Sequence, residues 1–242
     1  PELTNEKTIS TQASKRIHKD KKERIYSKFI DITEDENGTP TKIEFKNTEK
    51  FNFAFDLVDE LANKEPEKLA MLHISRDGIE RRITFSDVKK ASNRCANYFK
   101  SLGIKKGDRV MLVLKRHYQF WFCMMALNKL GAIAIPATNQ LQEHDFDYRF
   151  KSADVSAIVC TADGDVSVEA EKAAAEFPEM LKILVGGKRD GWHDFDSEYG
   201  FYTRKFVRPD DASAGNDTAL MFFTSGTTGN PKMAAHAHTY AL

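Results

Sequence analysis

From residue 51 onward, apolar positions alternate between the period of a helix and the unbroken runs of buried strands. Phe55, Val58 and Leu61 lie at helical spacing and predict a short helix ending near Lys64. Leu69–Ile74 and Arg82–Phe85 read as strands flanking a turn at Arg76-Asp77-Gly78. Ser86 reads as an N-cap. Behind it, Val88, Ala91, Cys95, Phe99 and Leu102 form an apolar stripe that Gly103 closes. The next hundred residues alternate. Strands are expected at Val110–Leu114, Ala132–Ile135 (stopped by Pro136), Val155–Cys160 and Ile183–Val185. Helices are expected at His117–Leu130 (closed by Gly131), Glu143–Ala153 and Val166–Phe177. Residues 186–216 read as a long polar connection, and Thr218–Phe223 as a final apolar strand. Alternation with continuous apolar strands predicts an α/β fold, a mostly parallel sheet with helices on both faces.

Residues 1–50 differ in character and are read as a charged N-terminal extension to a domain covering 51–242. Lys15 to Arg24 carries six Lys or Arg residues, read as a solvated arm. Asp35 to Gly38 fits a hairpin turn between short apolar stretches. Over the whole chain, 36 basic residues balance 36 acidic ones, so no electrostatic footprint for nucleic acid is expected. The longest apolar run, Phe120 to Leu127, is too short to span a bilayer. No apolar leader is seen near Pro1. Cys95, Cys123 and Cys160 are widely spaced among apolar residues, which argues against a disulfide framework or a zinc site. Buried, reduced thiols in a cytoplasmic protein are the expectation.

The most informative segment follows the last strand: Thr224, Ser225, Gly226, Thr227, Thr228, Gly229, Asn230, Pro231 and Lys232. Glycines let backbone N–H groups approach phosphate oxygens, hydroxyls add donors, and Lys232 adds a positive charge. Pro231 stiffens the exit. The spacing is not that of a Walker A loop, because Pro231 stands where the second glycine is required. A flexible Ser/Gly/Thr linker is the bland alternative.

Phe223 to Lys232 resembles the phosphate-loop signature of the adenylate-forming superfamily, which includes acyl- and aryl-CoA synthetases, luciferases and adenylation domains. Lys232-Met233-Ala234 with His236 is similar to the medium-chain acyl-CoA synthetase branch. So are Gly131-Ala132-Ile133 with Pro136, then Thr138, Gln140, Asp145, Tyr148 and Arg149. Phe51-Asn52-Phe53-Ala54 and Asp190-Gly191-Trp192 fit as well. The resemblance implies the partial N-terminal domain of an AMP-forming ligase. A carboxylic acid attacks ATP to give an acyl-adenylate, and coenzyme A then displaces AMP. It implies ATP, Mg2+ and coenzyme A as cofactors and a small carboxylic acid as substrate. Thr224 to Lys232 would hold the β- and γ-phosphates, and Gln140 would contact coenzyme A.

The resemblance places the catalytic residues and the acyl pocket beyond Leu242, so none is assigned in this chain, and the polypeptide alone is expected to be inactive and open to self-association. A nucleotide-binding module without chemistry is the alternative, and an assembly role for residues 1–50 a third reading. His117, His236 and His238 are weak candidates for ligand contact. Trp121 and Phe122 are read as core rather than as an acyl tunnel. Asp163-Gly164-Asp165 resembles half a calcium loop and is read as a turn.

Overall fold

The computed structural model describes residues 25–225 and 229–242; Lys15–Arg24 and the loop residues Gly226, Thr227 and Thr228 lie outside them. The chain forms two compact units, one ending at Lys46 and one starting at Asn47. In the first, β1 (Ile30–Glu34) and β2 (Pro40–Phe45) pair antiparallel, with Ile32 opposite Ile43. The turn is built by Asp35, whose carboxylate accepts the N–H groups of Asn37 and Thr39, both at 2.9 Å. Those two bonds hold its carboxyl below the usual range. Gly38, at φ +80°, supplies the left-handed residue.

In the second unit a helical segment opens with a wide π-type turn over Phe53–Asp59 and continues as α1 (Glu60–Lys64). Asn52 explains its start. Its side-chain oxygen accepts the N–H groups of Ala54 (3.0 Å) and Phe55 (3.2 Å), as an N-cap should. Its amide nitrogen donates to the carbonyls of Asn128 (3.0 Å) and Ser213 (2.8 Å), so this fully buried residue fastens three segments. Gly215 passes so close that a Cβ there would lie 2.7 Å from the Glu49 carbonyl oxygen.

β3 (Leu69–Ile74) and β4 (Glu80–Thr84) form the expected hairpin. The helix that follows, α2 (Phe85–Ser101), is capped by Thr84 rather than Ser86. Thr84 Oγ1 accepts the Asp87 N–H, and the Asp87 carboxylate accepts the Thr84 N–H, a reciprocal capping box that Ser86 has no acidic partner to make.

The main sheet has seven strands: β5 (Arg109–Val113), β6 (Ile133–Pro136), β7 (Ala157–Thr161), β8 (Leu181–Val185), β9 (His193–Asp194), β10 (Thr218–Thr224) and β11 (Lys232–Ala237). Their spatial order is β11-β10-β6-β5-β7-β8-β9, parallel throughout except that β11 runs antiparallel to β10. Alternate residues of β5 face two separate cores. Val110 and Leu112 meet Cys95, Phe99 and Leu127 of α2 and of α3 (Gln119–Leu130). Met111 and Val113 meet Phe146, Phe150 and Ala170 of α4 (Glu143–Ala153) and α5 (Val166–Ala174). Both faces of β5 are dry, so the continuous apolar run in its sequence is what the fold demands.

Two expectations need correction. Residues 186–216 are not merely a connection: they hold β9, the short α6 (Phe195–Glu198) and a single 3-10 turn over Tyr199–Phe201. Polar side chains on α2 fix this segment, Asn93 donating to the Arg204 carbonyl (2.9 Å) and Asn97 to those of Thr203 (3.0 Å) and Lys205 (2.9 Å). α5 ends at Ala174 rather than Phe177.

Candidate functional site

The signature segment is the loop of a hairpin. β10 leads into it and β11 leads out, with Thr224 opposite Lys232 at the neck. Thr224 Oγ1 donates to the Lys232 carbonyl at 3.2 Å, closing that neck. β10 lies beside β6 in parallel, so the neck of the hairpin stands at the C-terminal rim of the sheet, where open α/β sheets place their ligands. Ser225, Gly229, Asn230 and Lys232 are exposed. Gly229 sits at φ +99°, a conformation only glycine adopts without strain. No described carboxylate pairs with Lys232, so its charge is available to an anion.

α4 braces this hairpin from one core face. Tyr148 donates its hydroxyl to the Pro231 carbonyl at 3.0 Å, and its ring stands edge-on to Phe223 at 6.2 Å. The Arg149 guanidinium lies over the Phe223 ring, 5.3 Å from its centre. Arg149 is aimed by the carbonyl (2.9 Å) and carboxylate (3.2 Å) of Asp145. Asp145 also accepts the Gln142 N–H and so caps α4. Partial burial opposes ionisation of Asp145, but the Gln142 N–H and Arg149 outweigh it and keep the carboxyl below its usual range. Three residues singled out by resemblance, Asp145, Tyr148 and Arg149, thus form one chain of contacts reaching both sides of the loop.

Gln140 is exposed on the segment between β6 and α4, its N–H donating to Thr138 Oγ1 at 3.3 Å. That segment leaves the strand next to β10, so Gln140 and the loop share the rim. Adjacent β5 and β6 send the chain to opposite faces, through α3 and α4 respectively, which makes the gap between them a topological switch point. A cleft of about 280 Å³ opens there, lined by Lys115, Arg116, Thr138 and Asn139. His117, on the same rim, has its Nε2 2.8 Å from Thr161 Oγ1 and 3.1 Å from the Asp163 carboxylate, tying the ends of β5 and β7.

The other histidines are brought near β11 rather than to the loop. His236 packs against Phe222 and Tyr240, with ring centres 5.5 and 4.2 Å away. His238 is buried with neither ring nitrogen hydrogen-bonded, and burial pushes its pKa down to about 4. Phe122 is core, as expected, but Trp121 is 51% exposed: its helix is apolar all round in composition, yet this position faces outward. Asp163-Gly164-Asp165 is a bend, with Asp163 engaged by His117. Among the described residues no group of three His, Cys, Asp or Glu side chains is placed to hold a metal ion. All three cysteines are free and buried.

Sequence reasoning missed a buried cluster under α3. Lys129, wholly inaccessible, donates to Asp59 Oδ1 (2.8 Å), Ser92 Oγ (2.9 Å) and Asn93 Oδ1 (2.6 Å). Burial lowers the Lys129 pKa and raises that of Asp59, each opposed by the other's charge. The available signal was a lysine inside an otherwise apolar helix.

Residues 58–242 match the family model described as AMP-binding enzyme. Among curated proteins, the chain is 34% identical over 208 residues to the human acyl-coenzyme A synthetase ACSM3, mitochondrial, covering 79% of this chain and 33% of that protein. It is 34% identical over 210 residues to mouse (Mus musculus) acyl-coenzyme A synthetase ACSM1, mitochondrial, covering 82% and 35%. The chain therefore spans about a third of the length of the curated relatives it matches. Among solved structures, an anthranilate CoA ligase, AuaEII, in complex with anthranoyl-AMP superposes with TM-score 0.67 at 23% identity, over 78% of this chain and 35% of that one. An acyl-CoA synthetase of Brucella canis gives TM-score 0.67 at 23% identity, over 80% and 34%. At that identity the two structures speak for the fold.

Proposed function

Because the chain belongs to the AMP-binding enzyme family, we propose that it is the opening part of an AMP-forming acyl-CoA synthetase of medium-chain type. The observation that carries this reading is the braced hairpin at the sheet rim, with Lys232, which no described carboxylate pairs, at its neck. In the proposed first step a carboxylate oxygen bonds to the α-phosphorus of ATP and the bond to the departing pyrophosphate breaks. In the second the thiol sulfur of coenzyme A bonds to the acyl carbon and AMP leaves.

This chain's share of the work is positioning and charge neutralisation, which dominate phosphoryl chemistry. Thr224 to Lys232 hold the β- and γ-phosphates: hydroxyls and backbone N–H groups donate, and Lys232 balances charge that builds on the departing pyrophosphate. Gln140 contacts coenzyme A from the neighbouring strand exit. The described residues offer magnesium no carboxylate set.

The test is acid-dependent pyrophosphate–ATP exchange by the full-length protein with a panel of small and medium-chain carboxylic acids. Exchange with at least one acid is expected, and Lys232→Ala should reduce it by about 10²–10³-fold, the usual cost of one lost anion donor. The 242-residue polypeptide alone should give none. Nucleotide binding by the full-length protein without exchange for any acid would overturn the synthetase reading in favour of a binding module.

A further inference from the structure

A second cationic site lies away from the phosphate hairpin. β4, α2, the start of α3 and the segment after α6 line a cleft of about 260 Å³, with Arg81, Lys90, Arg94 and Arg204 among its lining residues. The chain as a whole is neutral, so this surplus is local. Among the described residues none of the four cations has a carboxylate partner within ion-pair distance. The one lining carboxylate, Asp87, is engaged by the N–H (3.0 Å) and hydroxyl (2.9 Å) of Thr84. Four cations against the single Asp87 carboxylate leave the cleft with a surplus of positive charge, and a bound anion relieves their mutual repulsion.

Two of the four cations are also held in place. Arg81 lies over the Tyr118 ring and Arg94 over the Tyr199 ring, 5.5 and 5.6 Å from their centres. Arg94 Nε donates to the Tyr202 carbonyl at 3.1 Å, and the Arg204 backbone is fixed by Asn93. Restrained guanidinium forks match the paired oxygens of phosphate and lose little entropy on binding.

We propose that this cleft binds a small phosphate-bearing anion, at a site separate from the phosphate hairpin. Its volume falls below the roughly 300–1,000 Å³ of pockets for drug-sized ligands, so pyrophosphate or a compact phosphorylated metabolite fits better than a nucleotide. No lining residue comes from β10, β11 or α4. The inference therefore does not depend on the proposed ligase chemistry.

The probe is inorganic pyrophosphate, titrated calorimetrically into the full-length protein at two salt concentrations. Binding is expected to persist in Lys232→Ala. It should weaken at least tenfold in the double variant Arg81→Gln/Lys90→Gln, and weaken with salt. Both substituted residues are exposed, and Arg204→Gln, also exposed, repeats the measurement should the double variant fail to fold. Unchanged binding in the cleft variants, or its complete loss in Lys232→Ala, would overturn the proposal. So would sedimentation with phosphatidylglycerol vesicles that depends on Arg81 and Lys90 without any pyrophosphate binding, since that result assigns the cleft to a membrane headgroup.

Discussion

Lys129 has no exposed surface, and all three of its ammonium protons are directed at named oxygens. Removing it strands the Asp59 charge, so Lys129→Met should cost about 3–5 kcal/mol, read from denaturant unfolding. Removing both charges, as Lys129→Met/Asp59→Leu, should restore most of that stability. His238 makes an opposite kind of prediction. Its folded pKa, about 4, lies below the unfolded value near 6.5, so between those limits the unfolded chain binds the extra proton. Stability is therefore intact above pH 6.5 and falls by up to about 3 kcal/mol as the pH drops to 4. His238→Leu should flatten that part of a melting-temperature profile; an unchanged profile would exclude His238 as its source. Neither residue was readable in advance. Hydropathy averages a lone lysine into its apolar helix, and nothing local distinguishes the buried His238 from the half-buried histidine two positions earlier. Glycines, hydroxyls and a lysine after an apolar strand made the loop segment itself legible, whereas its hold on phosphate is the proposed function.

At the scale of elements, α4 is legible to the residue: its limits, Glu143 and Ala153, are those expected from the sequence, with Phe146 and Phe150 buried. Its task was not legible, since bracing the hairpin depends on where β10 lies in the sheet. Tyr148→Phe keeps the ring against Phe223 and deletes only the bond to the Pro231 carbonyl. The expected global loss is about 1 kcal/mol. On the proposed synthetase function, the KM for ATP of the full-length protein should rise with kcat nearly unchanged, because the loop is held less firmly before nucleotide arrives; a lower kcat at constant KM would contradict this role. β11 escaped the sequence reading altogether. Its burial pattern is irregular and its residues apart from Met233 are small or polar, so only the pairing with β10 makes it a strand.

At the scale of the whole molecule, the layered plan was readable because strands buried on both faces must be apolar throughout. The order of strands was not, since β10 arrives from more than eighty residues beyond β6 to lie beside it. One sheet edge is the two-residue β9, too short to recruit a partner, and the other is β11, with Met233 44% exposed. Self-association of the isolated polypeptide is expected to run through β11, and Met233→Lys should lower it in sedimentation velocity experiments. Asn52 carries a different consequence, one of timing. Its amide nitrogen is satisfied by carbonyls 76 and 161 residues downstream. At about 5–20 residues per second, the ribosome takes roughly ten to thirty seconds to go from Asn52 to Ser213. Through that interval the first helical segment has its cap but not its anchors, so the nascent chain must emerge well past the fourth parallel strand before its beginning can be locked.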